Sequence, residues 1–75
     1  MGELSVLNRS MAAAATLADA LEEQIGPAFM TRVRLVAWVL DQFEDTESLE
    51  KAVQALPQLP PQLYLDYECF RGHMI

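Results

Sequence analysis

Along the first third of the chain, apolar residues return at Leu4, Leu7, Met11, Ala14, Ala18, Leu21 and Ile25, in steps of 3, 4, 3, 4, 3 and 4. That spacing keeps one face of an α-helix apolar, and its strict alternation makes a heptad seam. It predicts a helix over residues 3–25. Val6 and Leu17 widen the stripe, while Glu3, Asn8, Arg9, Asp19, Glu22 and Glu23 occupy the other side. Ala12 to Ala15 add strong helix propensity. Alanine at both middle seam positions lets a second helix approach closely. Gly26 suits the position just past the helix end, where a left-handed backbone carries no Cβ clash. Pro27 suits the first turn of the next helix, where a missing N–H is no loss.

The second periodic segment runs from Pro27 to Phe43, with a seam at Phe29, Val33, Val36, Leu40 and Phe43. It is apolar elsewhere too. Leu35 to Leu40 is an unbroken apolar run, and Leu35, Trp38 and Val39 point away from the seam. A helix apolar nearly all round is central in a fold or covered by different partners on different sides. This segment is therefore expected to be the one the others pack around. The rest of so short a chain offers too little to cover all of it. Its charges oppose the helix dipole, with Arg32 and Arg34 at the start and Asp41, Glu44 and Asp45 at the end. Pairing of the arginines with Glu22 or Glu23 is a simple explanation.

A third helix is expected over Thr46–Leu56, capped by Asp45 with Ser48 at the third helical position. It would bury Leu49, Ala52, Val53 and Leu56. Pro57, Pro60 and Pro61 make the following linker stiff, with Leu59 as an anchor. A short fourth helix then runs to about Phe70, with Leu63, Tyr67, Phe70 and Met74 along one face and Gly72 as punctuation. The predicted class is an all-α small helical bundle, a long N-terminal helical hairpin plus two short helices, in a single domain over residues 1–75.

Composition sharpens this picture. With 75 residues and 52% hydrophobic content, the core is small and the apolar surplus large. Domains of this size usually need a disulfide, a metal or a partner. Cys69 is the only cysteine and His73 the only histidine, so no intrachain disulfide and no ordinary zinc site are expected. Self-association, or unusually good packing, is left. The net charge of −6 disfavours the nucleic-acid backbone and anionic membranes alike. The longest apolar run is far short of the about 20 residues a membrane span needs. No signal peptide is read at the N-terminus, where Glu3 stands in place of positive charge. A lone cysteine fits a reducing, cytoplasmic setting.

Candidate chemistry is thin. Cys69 and His73 are one helical turn apart, but Gly72 is expected to end the helix between them, and no third group orients the imidazole. The acidic residues from Asp41 to Glu50 lack the glycine turn of a calcium loop. Helices two and three could be a helix-turn-helix, yet the would-be recognition helix carries Glu47 and Glu50 against Lys51. No cofactor is implied. The sequence predicts a non-enzymatic, cytoplasmic, regulatory protein–protein interaction module: an adaptor, small inhibitor or chaperone-like accessory protein. It is expected to be a homodimer and to bind another protein. Expected interface residues are Leu7, Met11, Ala14, Leu21, Leu35, Trp38, Val39 and Tyr64. The alternative is a small helical DNA-binding transcriptional regulator.

Overall fold

The computed structural model describes the backbone of residues 2–27 and 30–73, and the side chains of residues 7–27 and 30–71. Among them the chain is all-α, with helices α1 (Gly2–Gln24), α2 (Arg32–Asp41), α3 (Thr46–Gln54) and α4 (Pro61–His73).

α1 ends where predicted, at a corner built on Gly26. The backbone φ there is +138°, a conformation that side-chain-bearing residues rarely adopt. The corner is tied down by α4. Tyr67 is fully buried, and its hydroxyl donates to the Gly26 carbonyl at 2.8 Å. Arg71 lays its guanidinium against Gly26 and donates to the Pro27 carbonyl at 3.2 Å. A cation at this place also complements the negative end of the α1 dipole.

α2 is shorter than Pro27–Phe43. Thr31 is its N-cap, in extended conformation, and its hydroxyl oxygen accepts from the Arg34 N–H at 3.3 Å. Threonine satisfies an amide that would otherwise lack a partner in the first turn, so the helix begins there and not at Pro27. Phe29, part of the expected seam, lies outside the described residues.

α3 is capped as predicted, with Asp45 Oδ1 accepting from the Ser48 N–H at 2.7 Å. It stops at Gln54, and Ala55 is its C-cap, before Pro57 can interfere. Leu59 is buried, as an anchor would be. α4 passes through Gly72 to His73, beyond the expected end near Phe70. A glycine inside a helix costs only about 1 kcal/mol, and Arg71 holds this last turn on the Gly26 corner.

The central element is α1, not α2. Ala14, Leu17, Ala18 and Leu21 are fully buried, and α2 and α3 both pack on α1. The small alanines allow this, because backbones can come close on two sides. Ser10 and Thr46 share a hydroxyl hydrogen bond of 2.6 Å between α1 and α3. Arg9 forms an ion pair with Glu50 at 2.5 Å on the same side. On the other side Arg32 pairs with Asp19 at 2.6 Å and Glu22 at 3.0 Å, and also reaches the Ala15 carbonyl at 3.1 Å. The Arg32 charge at the start of α2 is thus explained by the carboxylates of α1.

α2 is turned away from the orientation its even seam implied. Leu35 and Val39 are buried, whereas Val33 is 79% exposed and Val36 and Leu40 are half-buried. Trp38 is half-buried; its ring stacks on Phe70, with centroids 4.9 Å apart and planes 8° apart, and lies 5.9 Å from Tyr67. The reason is area. Turning Leu35, Trp38 and Val39 inward buries a large aromatic surface, which Val33, Val36 and Leu40 cannot match.

Candidate functional site

The rotation of α2 leaves an apolar stripe facing outward. Val33, Val36, Ala37 and Leu40 recur at helical spacing, and Met11 and Ala15 of α1 lie alongside them. Together they line a groove of about 370 Å³ whose walls are almost wholly apolar. Arg32 forms its one charged edge. Val33 at 79% and Met11 at 48% are among the most exposed large apolar side chains described. Leu7, one turn before Met11 and 53% exposed, extends the patch along α1.

Of the eight residues expected at an interface, the fold leaves two on this patch, Leu7 and Met11. Ala14, Leu21, Leu35 and Val39 lie instead in the chain's own core. Leu21 and Val39 are fully covered, so no partner reaches them without unfolding. Trp38 is half-buried, with its ring stacked on Phe70 and tilted against Tyr67. Tyr64 is exposed at the rim of α4 beside Leu65, away from the groove. Sequence reasoning assigned Val33, Val36 and Leu40 to the interior and overlooked Ala15 and Ala37. The signal was present, because 33, 36, 37 and 40 form a second helical stripe. Two stripes competed, and only packing chose between them.

Several polar groups serve the fold. Asp45 accepts the Ser48 N–H and so titrates below its ordinary range. Glu47 lies 3.7 Å from Lys51 on the outer face of α3, and Glu50 is held by Arg9. A larger depression of about 540 Å³ between α1 and Pro57 is rimmed by Asp19, Glu23 and Gln24. Asp19 there is held by Arg32, and Gln24 donates to the Pro57 carbonyl. Burial raises the Tyr67 phenol above its ordinary value, with the nearby Glu22 charge adding to the effect.

Cys69 is exposed on α4, and the His73 side chain lies outside the described residues. Among the described residues, no three His, Cys, Asp or Glu side chains gather in a way that would hold a metal ion. No described helix is long and apolar enough to cross a membrane. No protein-family model, no curated protein and no solved structure matches this chain.

Proposed function

We propose that this chain is a non-enzymatic protein–protein interaction module that docks through the groove between α1 and α2. One observation carries the reading. A 75-residue chain that buries Leu17, Leu21, Leu35, Leu49 and Tyr67 still leaves Leu7, Met11 and Val33 in water beside a groove with apolar walls. Isolated exposed apolar residues are ordinary, but a contiguous patch rimmed by charge marks a contact surface. Arg32 on one edge and Asp41 and Glu44 beyond Leu40 supply that rim. Apolar anchors would give affinity and the charges would set orientation.

The test is site-specific photo-cross-linking in living cells. A photoreactive amino acid at position 33 should yield a discrete adduct. The same group at Gln58, exposed in the linker, should not. Adding Met11→Glu across the groove should suppress the adduct at position 33. No adduct at position 33, or the same adducts from both positions, would overturn the docking surface.

A further inference from the structure

The geometry points to a second copy of this chain as the occupant of the groove, joined by antiparallel packing of α2 on α2 across a two-fold axis. The inference rests on the docking reading above and adds the partner and its orientation. Two features of α2 carry it.

The apolar stripe is symmetric about the point between Val36 and Ala37. Val33 and Leu40 are equally far from that point on either side. A two-fold axis there sets Val33 of one copy against Leu40 of the other, and Val36 against Ala37. A two-fold interface must be self-complementary in this way. Ala37 is small and exposed, so the two helices can approach closely at the axis. α2 has ten residues and is about 15 Å long. A stable dimer buries roughly 800 Å² per partner, so the contact extends onto Met11 and Leu7 of α1.

The charges fix the direction. Arg34 and Asp41 are seven residues apart, about two helical turns, and so share one flank of the stripe. Both are exposed, and among the described residues neither has an ion-pair partner. In antiparallel face-to-face packing, like flanks of the two helices meet. Arg34 then lies opposite position 39 of the second copy, about 3 Å along the helix from Asp41. The pair forms twice by symmetry. Parallel packing would instead set the flank that carries Arg34 and Asp41 against the opposite flank of the second copy, so that Arg34 and Asp41 would not meet. The same pairing gives a purpose to charges that stand against the dipole of their own helix.

Sedimentation equilibrium on the full chain tests this. The wild type should have twice the 8.4 kDa chain mass at micromolar concentration. Val33→Glu should be monomeric, with helicity confirmed by circular dichroism. Ala37→Arg is the second disrupting variant if Val33→Glu loses its helices. Arg34→Glu and Asp41→Arg alone should each weaken the dimer by roughly tenfold, since each change is felt twice. The double variant Arg34→Glu/Asp41→Arg should regain wild-type affinity. A monomeric wild type overturns the second copy as occupant, as does a double variant no tighter than the single ones. A monomer that still cross-links from position 33 to a different protein would leave the docking surface standing and remove only this partner.

Discussion

The orientation of α2 decides which surface the protein offers, and Trp38→Ala reads it directly. In the fold, Trp38 lies against Phe70 and Tyr67. Cutting the side chain back uncovers on the order of 100–150 Å² of apolar surface, or about 2.5–4 kcal/mol at roughly 25 cal/mol per Å². A chain of this size has a total stability of about 4–11 kcal/mol, so the variant should be severely weakened. Its melting temperature should fall by roughly 10–30 °C. Val33→Ala removes two methyl groups that are mostly in water and should stay within about 0.5 kcal/mol. Urea unfolding followed by far-ultraviolet circular dichroism measures both, because Trp38 is the only tryptophan and its fluorescence disappears with it. Both variants belong at one low protein concentration, so that association does not enter the comparison. A larger loss for Val33→Ala than for Trp38→Ala would refute the reasoning, because α2 would then be turned with its even seam inward.

Other parts of the fold give further expectations. Gly26→Ala should cost about 1–3 kcal/mol in thermal unfolding, because φ is positive there and the new Cβ would meet the Arg71 guanidinium at 3.0 Å; an unchanged melting temperature would contradict that. Tyr67→Phe should cost about 1 kcal/mol by leaving the Gly26 carbonyl without its donor. Burial raises the Tyr67 phenol, so its contribution is complete below the ordinary tyrosine value of about 10 and is lost as pH rises through the higher folded value. Stability measured against pH should therefore fall less steeply at the alkaline end in the phenylalanine variant. Asp45 has the opposite sign: its lowered value makes its contribution complete above the ordinary carboxylate range and lost as pH falls through the folded value. Asp45→Asn keeps an acceptor for Ser48 without the charge and should flatten the acid limb of the same curve. With a net charge of −6, the protein should pass through heparin without salt-dependent retention; strong retention would favour the DNA-binding alternative.

Local signals are the ones the sequence determines by itself. The 3,4 spacing of α1, the Asp45 cap, the glycine at position 26 and the prolines around Leu59 each act within a few residues, where backbone chemistry has few choices. They set four helices and most of their ends. Where two local signals competed, the outcome needed the third dimension. Thr31 and Pro27 could each open α2, and Thr31 did so through a hydrogen bond. Leu7 and Met11 continue a seam that α2 and α3 cover only from Ala13 onward, which no periodicity reveals. Above all, α2 carries two apolar stripes of nearly equal merit in sequence. The tertiary structure chose between them because Phe70 and Tyr67, about thirty residues away in the chain, give Trp38 a face to stack on. That choice placed Leu35 and Val39 in the core, and it left Val33, Val36, Ala37 and Leu40 along the outer groove.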